Sequence, residues 1–347
     1  MDTMRGQYEA RLRQQPDDAE ALEALWRDAY GAGEHARALD WLRRAIAADA
    51  QAAGYHFMLG CSLLALGRTA EALGALRETV RLDAGFQEAH FHLGVALQAV
   101  GLHDEAFGHY REALRLRLRD EALPGAPPKP GPRVPAARTT LCCVDCRNHE
   151  LAIAALRRSM AQCSFERTMF FTDRNFDLPG IEVVVIPDIA SIADYSHFMV
   201  KSLGGHVDSD FVLVIQYDGY VLDGRRWSAE FLDYDYVGAP WSDGGVGNGG
   251  FSLRSQRLLR ALRDPRIADL VPEDVAICKT YRGLLELEYG LRFAPAEVAG
   301  RFSFEAVPPP GPTLGFHGLT HLVQIVDMRE AELESYRPAP MLTHVNG

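Results

Sequence analysis

The residues able to do chemistry gather in the second half of this 347-residue chain, and Asp218 leads them. It follows the apolar run FVLVI within FVLVIQYDGYVL, beside Gln216 and ahead of Asp223. A carboxylate directly after a buried strand is costly unless something positive meets it. A divalent cation, Mg2+ or Mn2+, is one answer, because it prefers oxygen ligands and can bridge the diphosphate of a nucleotide sugar. An Asp capping the turn through DGY is the other. Downstream, DYDYVGAPWSDGGVGNGGFSLRS concentrates glycines around Asn248, Gly249 and Gly250. Glycine there lets backbone approach a ligand, or simply turns a hairpin. PEDVAIC then sets Glu273 and Asp274 ahead of a helix, as a general base or as an N-cap. His317, isolated in GFHGL, suits a last metal ligand or phosphate contact and equally a surface loop.

The elements that must hold these residues alternate. TTLCCVDC, RTMFFTD and IEVVVIPD read as strands, HELAIAALRRSMAQC as an amphipathic helix, HFMVKSLGGHV as a further helix, and FSLRSQRLLRAL as strand then helix. That order predicts an α/β domain whose ligands collect beyond the carboxyl ends of its strands, where Cys146, Asp173 and Asp218 stand. Cys143 and Cys146 form a C-x-x-C, but the run is apolar and no second ligand pair accompanies it, so reduced strand cysteines are expected ahead of a zinc or redox site.

The first third is repetitive. Leu25, Leu59 and Leu93, then Gly33, Gly67 and Gly101, then Ala38, Ala72 and Ala106 recur every 34 residues (59 minus 25, 93 minus 59), and Tyr8, Leu42, Leu76 and Tyr110 keep the same step. Each unit reads as helix, turn, helix, with Gly60 and Ala72 where helices approach closely; in the first unit Trp26 takes the place of that glycine. This pattern resembles the tetratricopeptide repeat over about residues 8 to 118. Stacked repeats share a core and present a concave surface. Binding a protein or peptide is its expected use; dimerising or rigidifying the chain is the other. His90, His92, His103 and His109 lie here, expected as surface or groove residues rather than a metal site. Between the halves, EALPGAPPKPGPRVPAA (121–137) reads as a semi-rigid proline-rich linker. The expected organisation is therefore a repeat domain over 1–120, the linker, and an α/β domain over 138–347.

Bulk properties narrow the partners. With 36 Lys and Arg against 47 Asp and Glu, the net charge of −11 argues against general affinity for nucleic acid or anionic membrane. No apolar run is long enough to span a bilayer and MDTMRGQYEARLRQQPDD lacks an apolar signal core, so a cytoplasmic protein is expected.

Taken in order, QYDGYVL, FLDYDYVGAPW, VGNGGFSLRS, PEDV, RFAPAEVAGRFSFE and GFHG resemble a family of bacterial and fungal domains of glycosyltransferase type, over roughly 139 to 320. The resemblance implies an overall α + α/β chain, with a helical repeat solenoid followed by a GT-A-like nucleotide-sugar-binding domain. It places QYD at a metal-binding D-x-D, with Asp218 at the metal-facing third position and Gln216 where the first acid would be. It aligns Asn248, Gly249 and Gly250 with a loop beside donor and acceptor, Asp274 or Glu273 with the base of an inverting transferase, and His317 with a histidine completing metal coordination. Asp145, Asp173 and Lys201 become candidates for nucleobase, ribose and diphosphate contacts. The implied reaction is a metal-assisted, inverting transfer from a nucleotide sugar to a protein or peptide held by the arm. A saccharide acceptor is one alternative and a non-catalytic scaffold another, the latter favoured by Gln216; a homodimer is a further use of the arm. Hydrolase or phosphotransferase chemistry lacks its nucleophile-elbow or P-loop string.

Overall fold

A computed structural model describes residues 2–119, 133–136, 138–326 and 328, the side chains of Asp2 and Thr3 excepted. The chain divides into two compact units, Met1–Arg117 and Leu118–Gly347. Residues 121–132 and 137 of the expected linker, residue 120 of the expected repeat domain, and 327 and 329–347 of the expected second domain lie outside the described residues.

The first unit consists of α1 (Asp2–Gln14), α2 (Ala19–Gly31), α3 (His35–Ala48), α4 (Ala53–Ala65), α5 (Thr69–Leu82), α6 (Gln87–Ala99) and α7 (His103–Arg117). The pairs α2/α3, α4/α5 and α6/α7 turn through Gly33, Gly67 and Gly101, whose φ values of 75°, 71° and 80° lie in the left-handed region that glycine enters without penalty. The 34-residue recurrence of that glycine is thus the recurrence of one turn. Inside α4/α5 and α6/α7 a second glycine sets the helix spacing. A Cβ on Gly60 would lie 2.6 Å from Leu76 Cγ, and one on Gly94 2.6 Å from Tyr110 Cε1. Trp26 cannot allow that approach; its Nε1 instead donates to Ser62 Oγ of the next unit at 3.0 Å. Among the histidines, His90 is buried with Nδ1 3.0 Å from His109 Nδ1.

The second unit is a mixed α/β region. Its leading edge is a short parallel pair of β1 (Val134–Pro135) and β3 (Cys163–Ser164), with Ala136 N–H donating to Ser164. Two residues read as linker are therefore an edge strand, where proline is tolerated because its missing donor faces no partner. The main sheet has six strands. β2 (Thr139–Val144), β4 (Arg167–Thr172), β5 (Glu182–Val185) and β6 (Phe211–Ile215) run parallel. β8 (Phe251–Ser255) is antiparallel to β6 and pairs on its other side with β7 (Tyr236–Val237), giving the order β5-β4-β2-β6-β8-β7. Every residue of β2, β6 and β8 is buried, as strands covered on both faces should be. Cys142, Val144, Phe171, Val212 and Val214 pack on one face against Met199, Leu203 and Leu259. The segment HFMVKSLGGHV is less regular than one helix: Ile192–His197 is α-helical, Phe198–Ser202 a π-turn and Leu203–Gly205 a 3-10 turn. All six cysteines are free and buried. Among the described residues no helix is long and apolar enough to cross a membrane.

Candidate functional site

The order of the parallel strands reverses between β2 and β6: chain-successive strands β2, β4 and β5 step one way and β6 lies on the other side. Open α/β sheets leave a crevice at such a switch point, beyond the carboxyl ends. Asp145 follows β2 there, and Gln216 and Asp218 follow β6. Because β8 is antiparallel, its amino end arrives at the same edge; Phe251 pairs with Ile215, and Gln216 N–H donates to Gly250 O at 2.9 Å. That reversal carries Asn248, Gly249 and Gly250 to the crevice.

A third strand pair supplies the rest. β9 (Ser303–Phe304) and β10 (Gly315–Phe316) are parallel, with Phe304 opposite Phe316, so the next residues, Glu305 and His317, emerge side by side. β10 is tied to the β6 exit by Leu222 N–H donating to Leu314 O at 2.8 Å and Gly318 N–H to Asp218 O at 3.1 Å. Gly219 is needed for this approach, since a Cβ would come 2.5 Å from Phe316 O.

The side chains converge on His317. Its Nε2 lies 3.0 Å from Gln216 Oε1 and 3.2 Å from Asp218 Oδ1, and its Nδ1 lies 2.9 Å from Glu305 Oε1. Asp218 is 7% exposed, and its Oδ1 has the ion-pair contact with His317 but no well-aligned hydrogen bond among the described residues. The imidazole rests on the glycine loop so closely that a Cβ on Gly250 would sit 2.2 Å from Nε2. Burial alone would lower the pKa of His317, but the carboxylates of Asp218 and Glu305 outweigh it and hold the ring well above its ordinary range. Asn248, at φ 60°, donates from Nδ2 to Glu305 and accepts Gly250 N–H at 3.0 Å.

The acid pair divides. Glu273 is buried and paired with the fully buried Arg254 at 3.1 Å; burial pushes its carboxyl up and Arg254 pulls it back. Arg254 also reaches Gly249 O at 3.4 Å, so this pair lies behind the loop rather than in front of it. Asp274 is half-buried and faces the loop, its Oδ2 3.4 Å from Gly249 N and its Oδ1 accepting Val275 N–H at 2.8 Å. Both acids occupy the first helical turn, Glu273–Val275, rather than the cap, which is Pro272.

Asp145 and Asp173 stand at neighbouring strand ends. Asp145 Oδ1 accepts Arg147 N–H at 2.6 Å in the turn before the helix His149–Gln162, and Asp173 Oδ1 lies 2.7 Å from His149 Nε2. Lys201 is not brought to the crevice. Its Nζ donates to the carbonyls of Leu262 and Asp264 at 2.7 and 2.9 Å, which makes it a tether for a helix end. The glycine-rich lead-in does form a hairpin, with Trp241 N–H donating to Gly245 O at 2.8 Å and Gly247 N–H to Ala239 O at 3.1 Å; at its end Gly250 borders His317. Glu305 and Arg254 are the site residues that sequence reasoning missed. Glu305 ends RFSFE, where its place after a strand was the available signal.

The donor set fits a hard divalent cation: one buried carboxylate oxygen and one amide oxygen face one imidazole nitrogen, at 3.2 and 3.0 Å from it. Gln216 supplies an oxygen where the resemblance expected an acid. Among the described residues no group of three or more His, Cys, Asp and Glu side chains stands at metal-holding spacing, so the amide is part of any such set.

Residues 57–127 match the family model for the tetratricopeptide repeat, and residues 180–317 match that of a family described as a protein of unknown function, DUF5672. The second match includes Gln216, Asp218, Asn248, Asp274 and Glu305 and ends at His317. Its description assigns no activity. Among solved structures, one crystal structure of MamA aligns at 23% identity and TM-score 0.30, covering 32% of this chain and 64% of that one, less than two thirds of its length. A second, of MamA protein, aligns at 23% identity and TM-score 0.30, covering 32% of this chain and 60% of that one. No curated protein matches. The chain thus carries a tetratricopeptide-repeat region, which suggests a protein-interaction role, followed by a mixed α/β region.

Proposed function

We propose that the second unit is a nucleotide-sugar-dependent glycosyltransferase of GT-A-like fold, acting on a protein or peptide recruited by the repeats. The observation that carries this reading is the buried Asp218 carboxylate meeting His317 and the glycine loop at the switch point of the sheet. Gln216, Asp218 and His317 would hold Mn2+ or Mg2+, which when bound neutralises the departing diphosphate. Asp145 and Asp173, at the ends of β2 and β4, would meet the nucleoside. Asp274 is the base: its carboxylate takes the proton of the acceptor hydroxyl or amide, the freed oxygen or nitrogen bonds to the anomeric carbon, and the bond from that carbon to the diphosphate oxygen breaks with its electrons leaving on phosphate. Attack opposite the leaving group inverts the anomeric centre. Glu273 does not share this role, because it is buried against Arg254.

The test is donor turnover. Wild-type protein with Mn2+ and UDP-, GDP- or dTDP-sugars should release nucleoside diphosphate from one of them, and Asp218→Asn should abolish release while the fold persists. Full turnover in Asp218→Asn would remove the metal role, and a product of retained configuration would remove Asp274 as base. One observation favours a second reading, a binding protein with a decayed donor site: the neutral Gln216 stands where the first acid of the motif is expected. Such a protein would release nothing from any donor.

A further inference from the structure

Glu305 lies outside every role assigned above, yet three contacts converge on it. Its Oε1 is 2.9 Å from His317 Nδ1, its other carboxylate oxygen accepts from Asn248 Nδ2, and its backbone carbonyl is met by His321 Nε2 at 2.7 Å. Several separate elements cooperate in this arrangement. The parallel register of β9 and β10 sets Glu305 beside His317, and the buried His321, on the helix Leu319–Ile325, fixes the backbone from behind. Asn248 adopts a left-handed conformation at φ 60° in reaching Glu305, while its Oδ1 holds Gly250 N–H.

A histidine that ligates a metal through one ring nitrogen needs the other nitrogen held, and a carboxylate is a usual partner for it. Here the nitrogen facing Gln216 and Asp218 is Nε2 and the one facing Glu305 is Nδ1. We infer that Glu305 is the positioning residue of the site: it anchors the Nδ1–H of His317 so that Nε2 is presented to a divalent cation, and through Asn248 it locks the glycine loop to the same ring. This rests on the metal reading proposed above. Glu305 itself touches neither cation nor substrate; it acts through His317.

Calorimetric titration of the full chain with Mn2+ alone tests it, with no nucleotide present. Relative to wild type, Glu305→Ala should weaken Mn2+ binding about 10- to 100-fold, and Glu305→Gln, which keeps an acceptor oxygen, should weaken it less. The Glu305→Ala, His317→Ala double variant should bind no worse than His317→Ala, because the two residues act as one unit. A spectroscopic arm needs no metal: the low-field proton signal of the hydrogen-bonded Nδ1–H should be present in wild type and absent from folded Glu305→Ala. Wild-type affinity in Glu305→Ala, alongside weakened binding in His317→Ala, would overturn the role of Glu305 and leave the metal site standing. That role is equally overturned if the losses of the single variants add in the double variant, or if the low-field proton survives without Glu305. Wild-type protein that takes up no Mn2+ overturns the metal reading and this inference together.

Discussion

Gly250 and Arg254 show how single residues hold the crevice in shape. At Gly250 there is no room for a methyl group, since it would fall 2.2 Å from His317 Nε2. Gly250→Ala should displace the imidazole and cut donor turnover on the order of 100-fold, the scale of a misplacement near 1 Å, at a stability loss of about 1–3 kcal/mol. Undiminished turnover would show that the ring position does not matter. Arg254 is wholly buried and neutralises Glu273 behind the loop. Replacing it by Met strands a buried carboxylate, so urea denaturation should show a loss of about 3–5 kcal/mol, partly restored by adding Glu273→Gln. The sequence made Asp218 legible because a carboxylate after FVLVI conflicts with its surroundings. Arg254 carried no such mark: in FSLRS it reads as the outward residue of an alternating strand, and its pairing with Glu273, 19 residues on, helps it to be buried. Glu305 left only its place after a strand as a signal, because what gives it meaning is the register of two strands of two residues each.

At the scale of elements, the repeat helices were the most legible part, because a recurring turn and a recurring close contact both leave a period in the chain. The two kinds of glycine separate under mutation. Gly60→Ala and Gly94→Ala, which drive a methyl into Leu76 and Tyr110, should each destabilise the arm by about 1–3 kcal/mol. Gly74→Ala, exposed within α5 and free of neighbours within 4 Å, should stabilise it by about 0.5–1 kcal/mol. Thermal unfolding of the full chain distinguishes the two signs. The arm also has a pH dependence. His92 and His109 are held below their ordinary pKa, chiefly by burial, so the folded arm disfavours their charged forms. The unfolded chain then binds protons first as pH falls through about 6.5, and stability is lost below that value and retained above it. Midpoints at pH 7 and pH 5 should differ less in a His92→Gln, His109→Gln variant than in wild type; an unchanged difference would contradict this origin. The α/β elements were legible in type but not in arrangement. Nothing in FSLRS announces that β8 runs antiparallel, yet that direction is what returns the glycine loop to β6. The helix expected over HFMVKSLGGHV also breaks into shorter turns, one of which directs Lys201 to backbone carbonyls instead of the crevice.

At the scale of the whole molecule, a repeat region is joined to a proposed transferase, and the two roles stand or fall separately. If the arm recruits the acceptor, then a chain lacking the repeats should keep donor hydrolysis but lose transfer to a protein captured by the full chain, read by intact mass as a missing hexose-sized addition. Equal transfer by both forms would remove the arm from acceptor choice. The central claim is narrower: the negative charge left beside His317 at the end of β6 is matched by a cation carrying a diphosphate. Calorimetry of the full chain with UDP, GDP and dTDP, with and without Mn2+, tests it most directly. One of these nucleotides should bind only when Mn2+ is present, and Asp218→Asn should abolish that binding. Absence of binding for all three, or binding that ignores both the metal and Asp218, would contradict it.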